Sequence, residues 1–362
     1  MKEVFDHLFV LEMANNHWGN VTRGKQIIDQ FAGLARYHEI KVAFKLQFRD
    51  VDRFIQKDFK GRTDLRYIAK TEATKLRAEE YGELVEHIRS KGAIPMATPF
   101  DEVSVDLCEQ FGFDIIKVAS SDHNDWPLLE KIASLKKPVI VSTGGASLKA
   151  IDDLVLFFEH RDIPLALNHC VSLYPSEDSD LELSQITFLK NRYPNCTIGY
   201  SSHEQYDWRL SMAISLALGA RTWERHIDID ADGITVSPYC TLPEQADEWF
   251  SSYRKSLERL GNSEKSRRTI SREETEYLDA LVRGIYVRRP LKRGYVLDKS
   301  SFDNDLYLAV PLQKGQLSTR EMINGLVLER DVDPDSPLLL EDIEAKFLNS
   351  ESLRNRILSR GL

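Results

Sequence analysis

VAFKLQF, residues 42–48, is a short apolar run that carries a lysine and a glutamine on one parity and only apolar side chains on the other. Alternate residues of a strand point to opposite faces, so Val42, Phe44, Leu46 and Phe48 suit packing under helices, while Ala43, Lys45 and Gln47 look the other way. Seven more runs end in polar, chemically capable side chains: LFVLEMANNH (8–17), AIPMATPF (93–100), IIKVASSD (115–122), VIVSTGG (139–145), LALNHCVSLY (165–174), TIGYSSH (197–203) and TWERHID (222–228). Amphipathic stretches long enough for helices lie between them, such as Thr22 to Ala35 and Leu148 to Phe158. Strand and helix alternating eight times predicts an α/β chain with a (β/α)8 TIM barrel, whose chemistry sits at the C-terminal ends of the strands.

At 362 residues the chain exceeds such a barrel, which takes about 250 residues, so a second small domain is expected. The expected division is a catalytic barrel over 1–262, a polar linker over 263–280, a small β-rich domain over 281–346 and a mobile polar tail over 347–362. A formal net charge of −9 argues against a broad nucleic-acid surface, though not against a local phosphate pocket. No apolar run approaches the roughly 20 residues that span a bilayer, and Met1 to Asp6 lacks an apolar signal core. The four cysteines are scattered without a C-x-x-C pair, which fits a reduced, cytoplasmic protein.

Parity carries the reading into the lumen. Thr197, Gly199, Ser201 and His203 share one parity, as do Thr222, Glu224, His226 and Asp228, so neighbouring strands seven and eight bring His203 and His226 together at the rim. Ile115, Lys117 and Ala119 share a face, which points Lys117 inward with Lys45. A buried ammonium needs an anion. Lys45 and Lys117, with hydroxyls of Thr98, Ser120, Ser142 and Ser201, can surround a phosphate and a carboxylate; alternatively the lysines pair with Glu12 and Glu224 as structural ion pairs. His203 and His226 can ligate a divalent metal as neutral imidazoles, with open positions for water and substrate. His169 and Cys170 read as packing residues. His17 either orients substrate or caps the following helix.

The segments EMANNHWG (12–19), FKLQ (44–47), ATPFD (97–101), KVAS (117–120), VSTG (141–144), HCVSLYP (169–175), GYSSH (199–203) and ERH (224–226) together resemble the sialic acid (N-acetylneuraminate) synthase family. Members of that family condense phosphoenolpyruvate with an aldose, and the C-terminal region is similar, more weakly, to their antifreeze-like (SAF) domain. The resemblance implies phosphoenolpyruvate binding by Lys45, Thr98, Lys117, Ser120, Ser142, Ser172 and Ser201, where Ser172 stands in place of a common asparagine. It implies metal ligation by His203 and His226, with Mn2+ favoured over Mg2+ or Co2+. It places Glu12, Gln47, Tyr174 and Glu224 around the sugar and the reacting carbons, with Glu12 or Glu224 handling a water's proton. Asp122 stands where a glutamate is usual. The expected partners are phosphoenolpyruvate and an aldose, with no nucleic acid or membrane, and the implied assembly is a domain-swapped homodimer whose small domain covers the partner subunit's barrel mouth.

Two departures bear on the sugar. Where N-acetylmannosamine-using members usually carry Gly-Pro-Asp after the eighth strand, this chain has Thr235-Val236-Ser237 followed by Pro238-Tyr239; where their small domain usually presents Arg-Pro-Gly, it has Val310-Pro311-Leu312. The expected acceptor is therefore a related but different aldose, unless another arginine such as Arg289 or Arg320 takes that place. Competing readings are a 3-deoxy-heptulosonate or 3-deoxy-octulosonate phosphate synthase-like activity, and a catalytically silent sugar-binding barrel.

Overall fold

All eight runs form parallel strands in a computed structural model of the chain, which describes residues 2–261, 266–321, 325–344 and 349–361. They are β1 (Leu8–Ala14), β2 (Lys41–Phe48), β3 (Ile94–Pro99), β4 (Ile115–Val118), β5 (Val139–Ser142), β6 (Leu165–Cys170), β7 (Thr197–Ser201) and β8 (Thr222–His226). Each pairs with the next in order, and β8 pairs with β1 to close the barrel. Parallel neighbours require a crossover, and the sequence supplies capped helices for it. Asn20 accepts the backbone N–H groups of Thr22 and Arg23 to start Val21–Tyr37, and Ser147 accepts that of Ala150 to start Leu148–Glu159. Asp207 starts Trp208–Leu218, and Gly219 ends it at a φ of 105°, a left-handed conformation that glycine adopts without a steric penalty.

The two parities of the strands divide as the alternation predicts. Phe9, Leu11, Phe44, Leu46, Val118, Val141, Leu167 and Trp223 pack outward against the helices in one large core. Val10, Ala43, Met96, Ile115, Ile140 and Ala166 fill the lower lumen with Phe5 and Leu8 in a separate apolar cluster. Fully burying each large apolar side chain contributes about 1.5–3 kcal/mol, and this plug seals one end of the barrel. Two residues further along the strands, the lumen positions become Glu12, Lys45, Thr98, Lys117, Asn168, Ser201 and Glu224, all buried. One glycine makes this layer possible. A Cβ on Gly199 would sit 1.8 Å from Thr222 Oγ1 and 2.2 Å from Asn168 Oδ1, where the Thr222 hydroxyl now donates to Asn168 Oδ1 at 2.7 Å.

The chain divides into two compact units, Met1–Gly261 and Asn262–Leu362. In the second, β9 (Gly284–Val287) pairs antiparallel with the later strand Leu306–Ala309, and Val296–Leu297, Leu326–Leu328 and Ile343–Glu344 form a three-stranded antiparallel sheet. Two expectations differ from what is seen. The stretch read as a linker contains a helix, Arg272–Ala280, begun by Ser271. The stretch read as a mobile tail contains the helix Glu351–Ser359, whose Ile357 is wholly buried among Ile285, Leu317 and Leu338, followed by Arg360 in a buried ion pair with Glu321. An apolar residue and a guanidinium with waiting partners hold that segment down. Of the stretches named above, 262–265, 322–324, 345–348 and 362 lie outside the described residues. Arg289 is engaged with Asp305 at 2.5 Å. Among the described residues, no helix is long and apolar enough to cross a membrane.

Candidate active site

Strand register builds the site. Glu12 of β1 lies between Lys45 of β2 and His226 of β8, Gln47 lies beside Thr98, and Ser201 lies between Cys170 and Glu224. One cavity of about 660 Å³ opens above this layer. Lys45, Thr98, Lys117, Ser120, Ser142, Ser172 and Ser201 line it, and so do Glu12, Gln47, Tyr174, Glu224, His203 and His226. The thirteen residues to which the resemblance gave a phosphoenolpyruvate, sugar or metal role thus line one cavity, whereas Asp122 and His17 do not.

The floor is a compact charge cluster. Lys45 Nζ donates to Thr98 Oγ1 at 3.0 Å, contacts Glu12, and lies 3.2 Å from Glu224 Oε1. Lys117 Nζ lies 2.7 Å from Glu224 Oε2, so each oxygen of Glu224 takes one ammonium. Burial pushes the Lys45 ammonium down to about 8, against the raising influence of Glu224. Burial acts to raise the Glu224 carboxyl, but Lys117 and Lys45 overrule it and hold the group well below the usual carboxylate range. The ion pairs that the sequence left open do form, and both ammonium groups also face the cavity.

The histidines stand at the rim, with ring centres 5.6 Å apart. His203 Nδ1 lies 2.9 Å from the Val171 carbonyl, an acceptor, which places the proton on Nδ1 and the lone pair on Nε2. Burial pushes His203 down to about 4 and His226 well below its ordinary value, so both are neutral near pH 7. Tyr174 packs over them, its ring centre 4.0 Å from that of His203, and Tyr239 lies 5.2 Å from both Tyr174 and His226. Among the described residues no group of three or more His, Cys, Asp or Glu side chains is set to hold a metal.

Gly144 leaves room for hydroxyls. A Cβ there would sit 2.2 Å from Ser172 Oγ and 2.7 Å from Ser120 Oγ. Cys170, read from the sequence as packing, instead lines the cavity on the lumen parity, with its sulfur 3.8 Å from Ser120 Oγ. His169 has the opposite parity, where Nε2 meets the Leu181 carbonyl at 2.7 Å and the ring stacks on Tyr200. Asp122 is not in the cavity lining, although Ser121 is; it accepts from the Ser121 hydroxyl at 2.7 Å. His17 is fully buried away from the cavity and accepts from the Gly19 N–H, while Asn20 caps the helix.

Several contributors were not foreseen. Arg49, Tyr67 and Phe100 form one wall of the cavity. Arg225, on the opposite parity from Glu224 and His226, is buried and ties the loops above β7 and β8: it donates to Ser202 Oγ, Thr241 Oγ1 and the Glu204 carbonyl and lies 3.0 Å from Glu204 Oε1. A charged residue on the helix-facing parity of a strand is the signal that marks it. Arg23, likewise buried, holds the loop after β8 through Asp228 at 2.7 Å, Asp232 at 3.1 Å and the Ile229 and Ala231 carbonyls.

Comparison with known proteins gives the same direction. The NeuB family model matches residues 39–265. N-acetylneuraminate-9-phosphate synthase of Drosophila melanogaster is 32% identical over 254 residues, 67% of this chain and 66% of that one. Spore coat polysaccharide biosynthesis protein SpsE of Bacillus subtilis is 29% identical over 359 residues, 93% of each chain. A crystal structure named for spore coat polysaccharide biosynthesis protein E of Chromobacterium violaceum superimposes with a TM-score of 0.88 at 37% identity, covering 93% of this chain and 99% of that one.

Proposed function

The chain belongs to the NeuB family and is an enzyme, and from that premise we propose that it condenses phosphoenolpyruvate with an open-chain aldose, N-acetylmannosamine-like or a variant of it. The product is a 3-deoxy-2-ulosonic acid of the nonulosonic type, released with inorganic phosphate. The observation that carries this reading is the convergence of two buried ammonium groups, a bank of hydroxyls and two neutral imidazoles on one cavity. Lys45 and Lys117, with Thr98, Ser120, Ser142, Ser172 and Ser201, hold the phosphate and carboxylate of phosphoenolpyruvate.

His203 and His226 fit a divalent cation: both are neutral, the Val171 carbonyl leaves Nε2 of His203 free, and two protein ligands leave positions for water and substrate. Manganese is the favoured ion, with magnesium or cobalt as alternatives; bound there it supplies Lewis acidity toward the aldehyde oxygen. Gln47 and Tyr174 orient the aldose so that its carbonyl carbon faces the enol carbon C3. A bond forms between these carbons as the enol π pair is spent, the former aldehyde oxygen is left as an alkoxide, and positive charge develops at the former C2 of phosphoenolpyruvate. Water adds at C2, and Glu12, which contacts one ammonium group where Glu224 meets two, takes its proton and passes it to that alkoxide. The tetrahedral centre then expels phosphate by breaking its C–O bond, and the lysines stabilise the charge on the leaving group.

The C-terminal unit acts in this proposal as an antifreeze-like domain that covers the barrel mouth of the partner subunit in a domain-swapped homodimer, and the enzyme works in the cytoplasm. The test is phosphate release from phosphoenolpyruvate with manganese across a panel of aldoses, with the 2-keto acid product identified by mass. Phosphate release that depends on an aldose supports the reading. A chain that binds sugar but releases no phosphate with any aldose would be a silent barrel instead.

A further inference from the structure

Arg225 shares the helix-facing parity of β8 with Trp223, yet it is a cation and only 2% exposed. A buried guanidinium is costly unless its donors find acceptors, and these find them on two separate segments. Nη1 donates to Ser202 Oγ at 2.9 Å and lies 3.0 Å from Glu204 Oε1, and Nη2 donates to the Glu204 carbonyl at 2.9 Å. Nε donates to Thr241 Oγ1 at 2.7 Å. The ring centre of Trp208 lies 5.6 Å from the guanidinium carbon, and Ser202, Glu204 and Thr241 are all buried.

These acceptors adjoin the two rim imidazoles. Ser202 and Glu204 flank His203 in the chain. Thr241 is strapped across His226: its N–H donates to the His226 carbonyl at 2.7 Å, and its carbonyl accepts from the Asp228 N–H at 3.1 Å. One planar group thus grips the segments that carry both histidines, a span that suits the rigid fork of arginine and not the point charge of lysine. The sheet does not supply this tie. Pairing of β7 with β8 ends at Ser201 opposite Glu224, followed by the Ser202 N–H on the Glu224 carbonyl at 3.0 Å. His203 lies beyond that rung. Its own hydrogen bonds run to the loop after β6, from Nδ1 to the Val171 carbonyl and from the Ser176 N–H to its carbonyl at 3.1 Å. A structural ion pair would need only Glu204; the bonds to Ser202 and Thr241 join the two histidine segments as well.

We propose that Arg225 is a positioning residue that sets the separation and orientation of His203 and His226, and through them the affinity of the site for a divalent cation, without touching cation or substrate. This rests on the metal reading of the two imidazoles and assigns the residue that holds them in place.

The test measures manganese binding to the full chain without substrates. Electron paramagnetic resonance follows free Mn2+, and spin-echo modulation by imidazole nitrogen shows that the bound ion sits on histidine. Arg225→Lys keeps a charge opposite Glu204, while Thr241→Val removes one acceptor and leaves the Arg225–Glu204 pair whole. Manganese affinity should fall about 10- to 100-fold for Arg225→Lys and about tenfold for Thr241→Val, the range for partners that orient metal ligands. Calorimetric affinity for phosphoenolpyruvate should stay within about twofold in both, a split that mere loss of stability would not give. Manganese affinity within about twofold of wild type in either variant overturns the inference and leaves the metal reading standing. Equal losses of manganese and phosphoenolpyruvate affinity overturn it too, since Arg225 would then hold up the whole mouth. A wild-type chain that binds no manganese through imidazole removes the metal reading, and the inference with it.

Discussion

Lys117→Met removes an ammonium that is 1% exposed and lies 2.7 Å from Glu224. Breaking a buried pair outright costs about 3–5 kcal/mol, but Glu224 keeps Lys45 at 3.2 Å, so the expected loss of stability at pH 7 is about 2–3 kcal/mol. Glu224 is held below its ordinary range in the folded chain by both lysines, and such a group adds stability above its unfolded value, near 4.3, that is lost as pH falls through the folded one. The gap between wild type and variant should therefore be widest near neutrality and shrink below about pH 4. Urea unfolding at the two pH values measures it. Adding Glu224→Gln to the variant should restore most of the stability, because the stranded charge is gone, yet affinity for phosphoenolpyruvate should stay about 10- to 100-fold down, the worth of a charge-assisted bond. A single variant as stable as wild type at pH 7 with unchanged affinity would refute the coupling of this lysine to both Glu224 and ligand.

Burial pushes Lys45 down to about 8, so it carries its proton below that pH and must take one up to meet an anion above it. Affinity for phosphoenolpyruvate, followed by calorimetry, should fall by up to about tenfold per pH unit above 8. Gly144→Ala would thrust a Cβ to 2.2 Å from Ser172 Oγ and 2.7 Å from Ser120 Oγ, which should raise KM for phosphoenolpyruvate about tenfold or more with little change in Tm. Arg360→Ala leaves Glu321 buried without its guanidinium and should destabilise the C-terminal unit by about 3–5 kcal/mol in thermal unfolding; a change under about 0.5 kcal/mol would mean that the segment is a tail after all.

The barrel was legible because its strands are buried on both faces: outward positions stay apolar, and lumen positions turn polar at one end. Val10 gives way to Glu12, Ala43 to Lys45 and Ile115 to Lys117 in the same two-residue step. Parity also brought His203 and His226 together across two strands. It could not find Arg49, which lies in a loop and whose cage is assembled from Phe54, Tyr67 and Phe100, residues that only the fold brings together. Cys170 was misread because it was grouped with His169; one residue of offset sends their side chains to opposite faces. The terminal helix was missed because its apolar signal is thin, Leu353 and Ile357 one turn apart in a polar stretch. What secures it, the pairing of Arg360 with Glu321, spans the small unit and has no local signature.

The most direct test of the site is a crystal grown with manganese and phosphoenolpyruvate, with anomalous data collected at the manganese edge. The expected result is one anomalous peak within bonding distance of His203 Nε2 and His226, beside a phosphate held by Lys45 and Lys117. A peak elsewhere, or phosphoenolpyruvate density away from both lysines, would contradict it.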